Sequence, residues 1–280
     1  MSPEPAADQI QVAVAVRACS GFAELDGCVE LQRQIWGYSS DDVIPRRLFV
    51  VAQRIGGQTL GAFSPSGELV GFAMALPGWR DGMSYLHSHM LAVLPAYRNS
   101  GLGRRLKLAQ REDALARGIR LMEWTFDPVE SKNSFFNIEK LGAIARSYSA
   151  EFYGVSSARL QGGRPTDRLH AEWWMESDRV RRAIAGEHPS AGSSGAPVLE
   201  RIELPEGLEE WKESAAGHEQ ALTVQAANRK RFQEAFARGL AVTGFVRGGS
   251  GGGTFQLSHW LPETTFSDRR ERNGSVPERS

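Results

Sequence analysis

Residues 85–117 hold the feature that most narrows what this chain can fold into. An apolar, β-prone run ends at Val93. Pro95 stops it, because proline cannot donate to a strand ladder. Arg98-Asn-Ser-Gly101-Leu-Gly103 then leads directly into an amphipathic helical pattern over 101–117. Two glycines, two positions apart, remove Cβ atoms where main-chain amides turn inward and approach a ligand closely. Such amides, with a helix N-terminus behind them, form an anion cradle. Arg98 and Arg104 flank the cradle and bring charge for a phosphate. The string is not a Walker loop, since no Gly-Lys-Ser/Thr follows. Nor is it a dinucleotide fingerprint, since GLGRRL lacks the third small residue at its place.

The rest of the chain fits an α/β frame around this turn. Residues 12–17 read as a strand, 21–36 as a helix stopped by Gly37, and 45–54 as a second helix opened by Pro45. Strands follow at 59–63 and 69–76, joined by Ser-Pro-Ser-Gly, and at 85–93 and 119–126. A short helix at 133–140 and strands at 143–148 and 169–175 complete a β-α-α-β-β-β-α-β-α-β-β order, which predicts mixed, mostly antiparallel pairing. Residues 11–185 are assigned to this domain and 186–197, GEHPSAGSSGAP, to a linker. An α+β extension over 198–266 has a strand at 198–204, a helix at 209–238 and a hairpin of 241–247 with 254–257. Residues 1–10 and 267–280 are expected to be disordered tails.

Charge and cysteine usage exclude several functions. Lys plus Arg number 33 and Asp plus Glu 33, a net charge of zero, so no global field holds nucleic acid or an anionic membrane. The basic clusters Arg104, Arg105, Lys107 and Arg229, Lys230, Arg231 read as solvated helix faces. Placed on one helix, Cys19 and Cys28 would stand roughly 13 Å apart, too far for a disulfide. No Cys/His cluster has metal spacing. No run of about 20 apolar residues could span a membrane, and the N-terminus lacks signal-peptide character, so a cytoplasmic location is expected.

The string Leu91-x-Val93-x-Pro95-x-Tyr97-Arg98-x-x-Gly101-Leu102-Gly103 resembles motif A of the GNAT superfamily of acyl-CoA-dependent N-acyltransferases. TFDP, NIEKLGA, EFYG and PTDRL look like a little-characterised group within it. The resemblance implies a GNAT-type mixed, largely antiparallel central sheet flanked by helices over about 12–175. It also implies acetyl-CoA as co-substrate and an amine of a small molecule as acceptor, joined by direct attack in a ternary complex. Amides of Asn99, Ser100, Gly101, Leu102, Gly103 and Arg104 would hold the CoA diphosphate. Leu91 and Val93 would pair their main chain with the pantetheine arm as an added strand does, in a splayed opening beside 119–126. A main-chain N–H near them would polarise the thioester carbonyl. Asn133 would bond the arm or cap its helix.

For proton transfer, His89 stands where many relatives carry glutamate, and strand alternation puts His87, His89, Leu91 and Val93 on one face. His89 reads either as the base or as a hydrogen-bonded core histidine. Glu123 and Asp127 are rival carboxylates, the latter also a turn former before Pro128. The tyrosine that many relatives use as acid is replaced here by Ile138. Tyr148 and Tyr153 are the nearby substitutes, or packing aromatics. Trp36, Tyr85 and Trp124 are candidates for an acceptor wall or for core filling, and Arg168 for an acceptor carboxylate or an ion pair. A catalytically silent CoA-binding module is the alternative function. No metal, nucleic acid or membrane partner is expected, and a homodimer is left open.

Overall fold

The computed structural model describes residues 14–80, 82–154, 163–187, 197–214 and 216–260. The expected tails at 1–10 and 267–280, and most of the linker, lie outside them. The chain runs β1 (Ala15–Ala18), α1 (Gly21–Trp36), α2 (Arg46–Arg54), β2 (Gln58–Phe63), β3 (Leu69–Arg80), β4 (Met83–Val93), α3 (Leu102–Ala116) and β5 (Leu121–Phe126). Helix α4 (Ser131–Phe135) passes directly into a π-helical turn, Phe136–Lys140. Then come β6 (Ile144–Ser149), β7 (Arg168–Trp174), α5 (Asp178–Ile184), β8 (Glu200–Leu204), α6 (Leu208–Glu213), α7 (His218–Ala237), β9 (Leu240–Arg247) and β10 (Gly253–His259).

All ten strands form one sheet in the order β1-β2-β3-β4-β5-β7-β6-β9-β10-β8. Every pairing is antiparallel except β4 with β5. This is the mixed, largely antiparallel sheet flanked by helices that the sequence predicts. Helices α1 and α2 press Leu25, Cys28, Leu31, Phe49 and Ala52 onto Phe72, Met74, Met90 and Ala92 on one face. On the other, α3 packs Leu102 and Leu106 against Leu60, Ala62, Val70 and Ala73, with Leu91 and Val93 alongside. A third, larger cluster joins β5, β6 and β7 to α7, β9 and β10.

Three expectations are corrected, and one helix is added to them. Met74 pairs with Met90 but Ala75 with Ser88, so His89 is an extra residue in β4, a β-bulge. Beyond a bulge the side-chain alternation reverses. Leu86 therefore shares the α3 side with Leu91 and Val93, while Met90 and Ala92 face α1. His87, on the opposite face from Leu86, does not share a face with Leu91 and Val93. The two cysteines are not 13 Å apart, because Cys19 precedes α1. Gly21, with φ of 70°, folds it back over the helix, so that two free, buried sulfurs lie 3.9 Å apart. Helix α5 was not foreseen, although Ser177 caps it by accepting from the Val180 N–H. The single helix expected at 209–238 is broken into α6 and α7.

Candidate active site

The turn from β4 to α3 is built as its residues suggest. Pro95–Tyr97 forms one 3-10 turn, and Asn99 and Gly101 both take positive φ, 60° and 80°. Gly101 is the N-cap of α3 and no side chain caps the helix, so its leading amides have no partner within the helix. A Cβ built on Gly103 would meet only Leu91 Cδ2, at an ordinary 3.8 Å. The fold itself therefore leaves space over this glycine, as an approaching diphosphate requires. Around it, Ser100 Oγ donates to the Tyr97 carbonyl and Arg98 Nε to the Val93 carbonyl. The Arg104 guanidinium donates to the Ile184 carbonyl at the end of α5.

Strands β4 and β5 pair only at Leu86 with Met122 and His87 with Glu123. From Ser88 and Trp124 onward they separate. A cleft of about 310 Å³ opens there on the α1 side. Its walls are Trp36 and Tyr38, stacked 5.3 Å apart, Asp42, and His89 and Leu91 of β4. Thr125 of β5, Tyr153 and Arg168 close it. Thr125 Oγ1 and the Tyr153 hydroxyl are hydrogen-bonded at 2.9 Å, and Arg168 lies over the Tyr153 ring. Burial lowers the pKa of His89 below the ordinary histidine value. Its neighbour His87, 6.0 Å away ring to ring, is lowered to about 4, first by burial and then by His89, Lys107 and His170. Both imidazoles are thus neutral near pH 7, and His89 is the one in the cleft.

The other candidates are dispersed. Glu123 lies below the cleft, ion-paired to Arg80; burial raises its pKa against that pairing. Tyr148 is not a cleft residue. Its ring stacks on Phe232 of α7 and its hydroxyl bonds Asp167 at 2.6 Å, with burial first and Asp167 second raising its pKa. Asp127 accepts from the Val129 N–H, the turn its sequence suggests. Asn133 is inside α4 rather than at its cap, and its Oδ1 accepts from Asn137 Nδ2 at 3.3 Å. Asn137 Oδ1 in turn accepts from Trp124 Nε1, so Trp124 faces the core and not the cleft. Tyr85 packs beside Gly78 and Arg80. Trp36, by contrast, is a cleft wall. Sequence reasoning missed Tyr38 and Asp42, which carry no local signal. It also misplaced Lys107, which is 2% exposed and not on a solvated face.

A turn leading into a helix that no side chain caps, the helix behind it and two strands parting beside it occur in one stretch of chain. Residues 26–142, which contain all three, match the family model for acetyltransferase (GNAT). Over that stretch the chain is similar to GNAT acetyltransferases. No curated protein sequence matches the chain. Among solved structures, the chain is similar to the glucosamine N-acetyltransferase region of a fungal multi-domain GH3 β-N-acetylglucosaminidase. The two are 21% identical with a TM-score of 0.34, over 40% of this chain and 13% of that one. It is also similar to yncA from Salmonella typhimurium, solved with acetyl-CoA: 18% identity, TM-score 0.48, 59% of this chain and 96% of that one. A third is the ribosomal-protein-S18-alanine N-acetyltransferase from Escherichia coli, at 15% identity and TM-score 0.46, over 59% and 97%. Within the matched stretch, Ile138 is fully buried in the π-helical turn.

Proposed function

We propose that this protein is an acyl-CoA-dependent N-acyltransferase that moves acetyl from acetyl-CoA to an amine of a small molecule by direct attack. The observation that carries the reading is the split between β4 and β5. It begins beside the amide turn at Asn99–Arg104 and ends at a cleft holding a neutral histidine. In this reading those amides hold the diphosphate, with Arg98 and Arg104 at its rim. The main chain of Leu91 and Val93 pairs with the pantetheine amides, and Asn133 lies along the arm. The bulge at His89 takes one residue out of the β3–β4 ladder, the kind of place where a main-chain N–H can face a thioester oxygen.

An alkylamine is mostly protonated at pH 7 and must lose a proton to attack. His89, kept neutral by burial, accepts it in the cleft; a positioned base contributes about 10²–10⁴ in rate. Holding the amine and thioester in line supplies roughly 7–11 kcal/mol. The walls Trp36 and Tyr38 provide an apolar seat for the acceptor, and Asp42 and Arg168 its polar contacts. Ile138 at the usual acid position favours the second reading, a CoA-binding module without turnover. Free-thiol release from acetyl-CoA over a panel of small amines separates the two. Thiol release with at least one amine is expected. Acetyl-CoA binding with no release across the panel would establish the module instead.

A further inference from the structure

Lys107 belongs to α3, yet its ammonium group is not in water. The side chain is 2% exposed, Nζ lies 3.6 Å from the centre of the Trp124 ring, and it donates to Ser88 Oγ at 2.8 Å. Ser88 and Trp124 are the first residues of β4 and β5 past their last paired positions. Lys107 therefore bridges the two strands at the apex of the split, from the α3 side. Ser88 Oγ in turn donates a hydrogen bond to Gln110 Oε1 at 2.9 Å, and Gln110 Nε2 is buried with no partner among the described residues. The titratable group that interacts with Nζ is His87 on β4, itself neutral. Among the described residues no carboxylate forms an ion pair with Lys107. A buried amine over an aromatic face favours the cationic form at that face, while burial drives its pKa well below the ordinary lysine value. In its ammonium form the group has no counter-charge among the described residues.

The acyl-CoA reading, on which this inference rests, supplies a counter-charge. An arm anchored at the α3 N-terminus and laid along β4 from Val93 back to Ser88 covers about 17 Å of strand. It must stop where β4 and β5 rejoin, which is where Nζ is. We propose that Lys107 receives the CoA sulfur as it leaves, doing the work of the tyrosine replaced by Ile138. The C–S bond of the tetrahedral intermediate breaks, its electron pair passes to sulfur, and a proton passes from Nζ to that sulfur. Lysine is left neutral and regains a proton from solvent after the thiol departs. The proton shed by the acceptor nitrogen goes separately to His89. Burial that lowers the lysine pKa brings it nearer to that of a thiol and makes this transfer closer to even.

The test compares CoA with desulfo-CoA, by calorimetry, on the full chain. The ultraviolet thiolate absorbance of bound CoA is titrated in parallel. Wild type should bind CoA about tenfold more tightly than desulfo-CoA at pH 8, with the bound thiol ionising at lower pH than free CoA. Lys107→Met should keep desulfo-CoA affinity, lose the preference, and shift thiolate formation up by at least one pH unit. Lys107→Arg, which keeps the charge, should retain both signatures and guards against a folding defect in the methionine variant. Wild type that binds both ligands equally, with an unperturbed thiol, overturns the assignment of Lys107 alone. So does a Lys107→Met variant that loses both ligands equally while Lys107→Arg does too. Wild type that binds neither ligand overturns the acyl-CoA reading and this one with it.

Discussion

Gly103 is the second residue of α3, where alanine would ordinarily be the better helix former by about 1 kcal/mol. Nothing in the protein forbids a Cβ there, since the nearest atom would be Leu91 Cδ2 at 3.8 Å. The glycine is therefore explained by a ligand or not at all. Gly103→Ala is expected to leave the thermal midpoint unchanged or slightly raised while weakening CoA binding at least tenfold, about 1.4 kcal/mol. Calorimetry with CoA beside a thermal melt checks both; undiminished affinity removes the diphosphate from this turn. Gly101 is a poorer probe, because its φ of 80° penalises any side chain by about 1–2 kcal/mol whatever binds. His89 tests the cleft rather than the cradle. His89→Ala should lower turnover by about 10²–10⁴ with CoA affinity changed less than threefold, about 0.7 kcal/mol. Equal losses in kcat and in CoA binding would make His89 a packing residue.

Strand β4 carries most of the chemistry, and its two histidines also set an acid limit on stability. Unfolded, His87 titrates near 6.5; folded, at about 4. Between those values the unfolded chain holds the extra proton, so the contribution of neutral His87 is complete above pH 6.5 and is lost as pH falls to 4. The shift bounds the loss at about 3 kcal/mol, and the lowered His89 acts in the same direction. A thermal midpoint that falls over this window, and falls less in His87→Gln, is the expected outcome; an identical acid slope in the variant would clear His87. The same strand shows where sequence reading succeeds and stops. The end of β4 and the turn after it were legible because Pro95, Gly101 and Gly103 answer backbone demands that few other residues meet. The bulge at His89 is a single extra residue with no compositional mark, so alternation placed His87 on the wrong side relative to Leu91. Lys107 was read as solvated because charge on a helix is usually outside; only the partners Ser88 and Trp124, 19 and 17 positions away in sequence, reveal otherwise. The cleft walls Tyr38 and Asp42 depend on how the stretch after α1 crosses the sheet, which no local pattern encodes.

At the scale of the whole molecule, the C-terminal elements extend the acyltransferase sheet rather than hanging from it. Strand β9 adds to β6 at Ala145 with Val242, and α7 lies over β6 with Phe232 stacked on Tyr148. Two buried carboxylates tie the two parts together: Glu139, which accepts from the Phe245 N–H of β9 at 2.7 Å, and Asp167. Asp167, with no exposed surface, accepts two bonds of 2.9 Å from Arg229 of α7, one from the Tyr148 hydroxyl and one from the Glu151 N–H. Nearby, buried Arg164 donates to Gln225 of α7, and Gln225 returns a bond to the Pro165 carbonyl. These bonds fix the segment that delivers Arg168 to the cleft, so the extension supports the acceptor side of the site and not the cradle at α3. Removing Arg229 leaves a buried carboxylate without its cation, a change that typically costs 3–5 kcal/mol; water reaching the partly exposed Arg229 side reduces this to about 2–3 kcal/mol. Arg229→Met should therefore lower the unfolding free energy measured by urea titration by that amount, in a single transition shared by both parts. Its CoA affinity at 25 °C should match wild type, since Asn99–Arg104 lie on other elements. Two separate unfolding transitions, with only the later one sensitive to CoA, would mean that the sheet is continuous in geometry but not in energy.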